Sequence, residues 1–384
     1  MSEAKKTLTP SEVLNGESPL VLTATLEPIA GDRFQPAGFP EIGHVIYKAP
    51  RKDGSIEHVC IVDSAASMAN HLESVCQRGT HDLDLVDDLS GMPYIRCVTG
   101  DLADGKLPID KREVVVTSLT EGHRIASTYF FGTRNKKSRK WDGKGGQRVE
   151  QNGDISSVSF GDDLATEAKF GIQLDGKNAA HPPPAKWWNV FKTIFETDPN
   201  SLVHGVLFPQ WQIKIPRALT AHLEAFGAGR VDRSGVKFDR LGKTTSGQSI
   251  FAVDDATAES IRATFVLDVS LIRSFGRKKG NDTLGLSEKQ QEFLVALALW
   301  KLEKLLASPF RFRSGCHLRR TAIKSYEQDV EIEVDIKAAI SAAVFGEQRI
   351  TDVFWPREEL YREGRAEDSE SADDGEEEAK DETE

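Results

Sequence analysis

The sequence predicts an α+β fold with long inserted loops, and three observations carry that prediction. Short apolar runs such as Leu20 to Leu26 and Val114 to Leu119 have the length and β-branched content of buried strands. One long stretch, Glu288 to Leu306, is built of good helix formers with Phe293, Leu294, Leu297, Trp300 and Leu305 on a core-facing side. Strands and helices follow one another without the regular alternation of a parallel α/β sheet, and basic, glycine-containing segments separate them. The 384 residues, with 39% hydrophobic, 28% charged, 31 Gly and 16 Pro, exclude collagen-like, mucin-like and wholly disordered classes. At roughly 150 residues per domain the chain amounts to about two and a half domains, and one large domain with big insertions fits equally well.

The elements follow in order. Leu20 to Leu26 reads as a strand ended by Pro28 and a turn around Gly31 and Asp32. The segment Arg33-Phe34-Gln35-Pro36-Ala37-Gly38-Phe39-Pro40 holds too many Pro and Gly residues for a regular element and is a shaped loop. His58 to Val62 is a short strand, Asp63-Ser64 stands at a helix N-cap, and Met68, Leu72 and Val75 follow at helical spacing. Val114 to Leu119 opens into Glu121-Gly122-His123-Arg124. From there to about Lys186 the chain is weakly periodic, which predicts an insertion with a hairpin or mobile loop rather than an independent core.

Lys186 to Glu196 reads as a helix entered from His181-Pro182-Pro183-Pro184. Leu202 to Phe208 and Trp211 to Ile215 are expected to be paired strands, with His204 a satisfied core or edge histidine. Pro216 then suits the first turn of a helix through Leu219, Leu223 and Phe226, stopped by Gly227 and Gly229. Ser249 to Val253 and Ala263 to Ile272 are expected strands around a basic loop. Val330 to Val334 alternates as a strand and Ile336 to Val344 is a short helix. No tandem repeat is visible.

The net charge of -11 is unevenly distributed. Residues 366 to 384 carry eleven acidic side chains and one lysine, leaving 49 acids against 48 bases in residues 1 to 365. Such an acidic block cannot bury enough apolar surface to order itself, so it reads as a disordered solubilising tail, or a mimic of nucleic acid. Within the neutral body, positive charge is clumped. Arg134, Lys136, Lys137, Arg139, Lys140, Lys144 and Arg148 face Asp142 alone, with Trp141 and three glycines among them. Arg230, Arg233, Lys237, Arg240 and Lys243 form a second clump; Arg273, Arg277, Lys278 and Lys279 a third; Arg311, Arg313, Arg319 and Arg320 a fourth. A single charge run is ordinarily a solvated loop. Several, interleaved with aromatics, suit a groove along a phosphate backbone, because cations release counterions and rings offer faces to unstacked bases.

The catalytic motifs are missing or malformed. Gly242-Lys243-Thr244 resembles the end of a phosphate loop, but Gly235 leaves six intervening residues where four are needed, and no strand leads in. His123 beside Arg124 suggests a general base next to a phosphate clamp, or a residue that only positions backbone or RNA. Cys60, Cys76, Cys97 and Cys316 are far apart, without C-x-x-C pairs or histidines at ligand spacing, so neither a disulfide framework, a zinc site nor a cofactor is expected. The longest apolar run, Phe293 to Trp300, is too short to span a membrane, and no secretory signal follows Met1 to Lys6. A cytoplasmic location is the expectation.

An ordered series of motifs resembles one known family. Leu26-Glu27-Pro28, the loop from Arg33 to Pro40, Val62-Asp63-Ser64 with Ser67-Met68-Ala69-Asn70-His71-Leu72-Glu73, Glu121-Gly122-His123-Arg124-Ile125-Ala126-Ser127, Ser201 to Val206 and Pro216 to Leu219 are similar to signatures of the Csb-one family. That family comprises Cas-seven-type backbone subunits, of the RAMP superfamily, in type I-U (I-G) CRISPR effector complexes. The resemblance runs from about Leu20 to Trp355 and implies an RRM-like (ferredoxin-like) palm with inserted finger and thumb segments. It sets expected boundaries: an extension over residues 1–19, a palm over 20–356 with basic insertions near 125–186 and 227–248, and a tail over 357–384.

The resemblance also implies the function. Copies line up along a guide RNA (crRNA), hold its backbone and display its bases to target DNA, alongside a large subunit and a Cas-five/Cas-six-type subunit. Carried over residue by residue, Arg33, Gln35, Ser64, Ser67, Asn70, His123 and Arg124 would meet the RNA. The basic clumps add Arg134, Lys136, Lys137, Arg139, Lys140, Arg277, Lys278, Lys279, Arg311 and Arg313 as candidate contacts. The family more often has Arg where His71 stands and Asp where His317 stands. A non-catalytic RNA-binding subunit is therefore expected. The alternative is a metal-independent endoribonuclease of precursor guide RNA using His123, and a third reading cleaves target RNA through Asp63 or Asp101.

Overall fold

Alternation of buried and accessible side chains builds the central sheet. The computed structural model describes residues 5–38, 43–133, 141–172, 182–231, 255–346 and 349–360. Strand β1 (Leu20–Pro28) buries Leu22, Ala24 and Leu26 and turns Thr23 and Thr25 to the other face. A hairpin of β2 (Ile46–Pro50) and β3 (Ile56–Asp63) leads into helix α1 (Ala65–Ser74). The chain next forms β4 (Tyr94–Thr99), β5 (Glu113–Thr117), β6 (Gln147–Val149) and β7 (Ile155–Ser159), then helix α2 (Trp187–Thr197). It returns through β8 (Leu219–Phe226) and β9 (Ser260–Leu267), helix α3 (Glu288–Leu306), the hairpin β10 (Phe310–Arg313) and β11 (Cys316–Ser325), and finally β12 (Ile350–Phe354).

Among these strands β1, β8, β9 and β11 lie in the order β11-β1-β9-β8, each antiparallel to its neighbours. In chain order this is four-one-three-two. With α1 in the first crossover and α3 in the second, that is the RRM-like topology. The β2–β3 hairpin extends the β8 edge, and the parallel pair Lys6–Leu8 and Gln328–Ile332 extends the β11 edge. Helix α3 starts on a capping box in which Ser287 and Gln290 bond each other's backbone amides. It is buried on nearly all sides from Phe293 to Leu302, as a helix clasped by other elements must be.

A second sheet, ordered β5-β4-β12-β6-β7, places β12 parallel to β4 and antiparallel to β6. The weakly periodic insertion thus supplies β6 and β7. It also joins the main core, to which Phe130, Phe131, Phe160 and Phe170 belong; Phe131 and Phe170 pack against Phe208 and Trp211, and Phe160 meets Phe131.

Three elements differ from the sequence expectation. The helix expected from Pro216 is the strand β8, with Leu219, Ala221, Leu223 and Ala225 buried and Thr220 and His222 exposed. Leucines four apart satisfy both periods, and pairing with β3 and β9 decides for the strand. The strand expected over Leu202 to Phe208 is a short helix, Asn200–His204, followed by the strand Val206–Phe208. Ala263 to Ile272 divides at Asp268, whose side chain accepts from the Leu271 amide and caps the helix Val269–Ser274. The strand expected at Ser249 to Val253 lies outside the described residues.

Candidate nucleic-acid interface

The N-terminus of α1 is the centre of a three-part junction. Strand β3 ends at Asp63, which is 1% exposed, and Ser64 caps the helix by accepting from the Ser67 amide at 3.2 Å. Asp63 Oδ1 accepts from the Ser64 amide (3.0 Å) and from Arg313 (2.6 Å). Its Oδ2 accepts from Ser67 Oγ (3.0 Å) and lies 3.0 Å from His71 Nε2. The imidazole also meets the edges of Phe310 and Phe312, at centroid distances of 5.2 and 5.4 Å. A charge this deeply buried is tolerable only with such a full complement of donors.

Two further segments are fastened to this core. The Gln35 amide donates to the Gly315 carbonyl at 2.9 Å and the Ala37 amide to the Val62 carbonyl at 2.8 Å, so the loop crosses between β3 and the β10–β11 turn. Gly315 has φ +77, and a Cβ there would stand 3.2 Å from the Gln35 side chain, which makes glycine the fitting residue. Around the rim, Asn70 and Arg311 are exposed, the latter donating to Ser314 at 2.7 Å, and Arg33 is 63% exposed, 3.8 Å from Asp255. The exposed residues Ala65 and Ala66 present the first amides of the helix, which have no partner within it. A helix N-terminus flanked by guanidinium groups is a setting for phosphate oxygens.

The structure therefore brings together Gln35, Ser64, Ser67 and Arg313, with Arg33, Asn70 and Arg311 at the edge. Sequence reasoning missed the organising role of Asp63 and the Phe310–Phe312 shelf. A carboxylate closing an apolar strand, immediately before an N-cap serine, was the available signal.

Arg124 requires a correction. Its guanidinium is buried and makes a bidentate pair with Glu73, at 2.7 and 2.8 Å, and further bonds to the carbonyls of Gly122 and Gly205. Glu73 also accepts from Asn200 at 2.6 Å, and Asn200 in turn accepts from the buried Lys301. Arg124 thus holds α1 to the core and has no free donor face for RNA. His123, its neighbour, is exposed. His204 is likewise corrected: it ends a helix, is 1% exposed, and neither ring nitrogen has a hydrogen-bond partner among the described residues. Burial and the cations Lys301, Arg124 and Arg217 hold its pKa well below the usual range.

Arg277, Lys278 and Lys279 lie on the exposed strand Gly276–Lys279, with Lys278 3.3 Å from Glu288. They follow the end of β9 where Leu267 pairs with Leu20, whereas the Arg33 loop follows Pro28 at the other end of β1. The sheet therefore does not bring these two basic groups together. Arg134, Lys136, Lys137, Arg139 and Lys140 lie outside the described residues, as do Arg233, Lys237, Arg240, Lys243 and the chain beyond Leu360. Among the described residues no group of three His, Cys, Asp or Glu side chains could hold a metal ion. The four cysteines are buried thiols; burial pushes those of Cys60, Cys97 and Cys316 up to about 12 and that of Cys76 up to about 11.

Residues 20–230 match the family model described as CRISPR-associated protein GSU0053. No curated protein sequence matches the chain. Among solved structures, the crystal structure of Csc2 from Thermofilum pendens is similar over 88% of this chain and 75% of that one, at 11% identity and a TM-score of 0.29.

Proposed function

This chain belongs to the family of CRISPR-associated protein GSU0053, and from that premise we propose that it is a non-catalytic guide-RNA-binding backbone subunit of a type I-U (I-G) effector complex. Several copies would hold one guide for pairing with target DNA, beside a large subunit and a Cas-five/Cas-six-type subunit, in the cytoplasm. The observation that carries this reading is the α1 junction, where a helix N-terminus, a shaped loop and a basic hairpin converge on one accessible surface. Such a surface grips backbone phosphates without reading base edges, as a subunit serving many guide sequences needs. The partly exposed Phe310, packed against His71, adds an apolar face for a base.

The junction also assembles Ser67, His71 and Asp63, the residue types of a hydrolytic relay, in an arrangement unsuited to one. A relay needs the carboxylate on one imidazole nitrogen and the hydroxyl on the other. Here both Asp63 and Ser67 approach Nε2, and Ser67 donates directly to Asp63. His123 is exposed, and no hydrogen bond orients its ring among the described residues. The test is incubation of the purified protein with labelled repeat-containing RNA, with and without Mg²⁺. Retarded but intact RNA in both lanes is the expected result. Cleavage without metal would establish the endoribonuclease reading, and cleavage only with metal the target-RNA reading.

A further inference from the structure

We propose that a polar cleft on the second sheet binds a small phosphate monoester of the size of a nucleoside monophosphate. The cleft, about 470 Å³, lies between the polar side of α2 and the strands β6 and β12. Asn189, Lys192, Thr193, Glu196 and Thr197 recur at three- and four-residue spacing, so they form one stripe of the helix. Opposite stand Arg148, Lys169 and Thr351, with Phe160 also in the wall.

Two features of this cleft ask for a ligand. Thr193 and Thr351 are 8% and 7% exposed and come from opposing walls, and their hydroxyls make no hydrogen bond to any described residue. Both hydroxyls open onto the space of the cleft, where each is free to donate to a bound group. The charge is arranged rather than scattered. Arg148 and Lys169 both reach Asp163, at 2.9 and 2.5 Å, which fixes them against one wall. Lys192, exposed at the opening, has no ion-pair partner among the described residues.

Donors on two walls, with one cation uncommitted, fit a tetrahedral dianion that accepts from several directions. Glu196, exposed on the same stripe, suits the hydroxyls of an attached sugar as an acceptor. The volume is in the range of small-molecule sites and exceeds the need of inorganic phosphate alone.

Calorimetric titration of the full chain tests this, with AMP, inorganic phosphate and adenosine as probes. One saturable AMP site with Kd on the order of 0.1 to 1 mM is expected, phosphate binding more weakly and adenosine not at all. Lys192→Gln and Thr193→Val should each weaken AMP by roughly tenfold, the cost of a lost charge-assisted or buried hydrogen bond. Both should retain wild-type affinity for guide RNA. A 5′-phosphorylated dinucleotide that competes with AMP identifies an RNA end as the source of the phosphate, and one that does not identifies the free nucleotide. A featureless AMP titration, or unchanged binding by the exposed-site variant Lys192→Gln, overturns the proposal.

Discussion

Arg33 and Arg124 carry the same charge in two motifs of one family, and their surroundings assign them opposite duties. Arg124 faces a buried carboxylate, so Arg124→Ala leaves Glu73 uncompensated in the core. Urea unfolding should then show a loss of about 3 to 5 kcal/mol. Arg33 faces solvent, and its contact with Asp255 is long; Arg33→Ala should change stability by less than about 0.5 kcal/mol. In a fluorescence-anisotropy titration the same variant should weaken single-stranded RNA binding several-fold. The sequence could not separate the two residues, because Glu73 is remote in the chain from Arg124 and only the fold closes the pair. Asp198 adds a pH signature to the same buried network. Burial pushes its pKa from the ordinary 3.8 up to about 7, although Ser201 donates to it. The folded form therefore holds a proton that the unfolded form releases, and this group's contribution to stability declines as pH rises from about 4 to about 7, then levels off. Asp198→Asn should remove that slope from unfolding midpoints measured across pH 5 to 8.

Helix α3 was fully legible because capping and composition agree: Ser287 and Gln290 mark its start, and a run of leucine and alanine fills its interior. Being enclosed, it should be intolerant of truncation. Leu297→Ala, at a position 0% exposed, is expected to cost about 2 to 5 kcal/mol in denaturant unfolding. Strand β8 was illegible for the opposite reason. Alanine at 221 and 225 is neutral to both periods, proline before it suits a helix start, and the deciding pairings come from β3 and β9, which are distant in sequence. The candidate interface shows the same division. The loop from Arg33 and the cap at Ser64 were readable from local chemistry, while the link of Arg313 to Asp63 spans 250 residues. Local signals place the parts of a site, and only tertiary closure reveals which of them neutralise one another.

At the scale of the molecule, the four-one-three-two order of the palm was legible only through the resemblance, since no local pattern states which strands become neighbours. The charge distribution was open to direct reading: a neutral body with clumped cations, and an acidic block beyond residue 366. It leads to a prediction that concerns the whole surface. If one subunit neutralises about six phosphates, the logarithm of its affinity for single-stranded RNA should fall against log salt with a slope near about -4, across unrelated sequences. A filter-binding series from low to moderate salt measures it, and a slope near zero would remove the electrostatic basis of the proposed function. The second sheet has a consequence of another kind. Its middle strand, β12, is supplied by residues 350–354 and inserts between strands made more than two hundred residues earlier. Asp352 arrives with it and engages Arg96 and Arg112, both largely buried. During synthesis β4 and β6 must therefore wait with an empty slot between them, Arg112 without its carboxylate and Arg96 held only by Asp84. Closure of so long a loop is slow, so this sheet completes after nearly all of the palm has been made. A ribosome that stalls ahead of residue 350 would expose a strand-shaped gap, which is a handle for quality-control factors on the nascent chain.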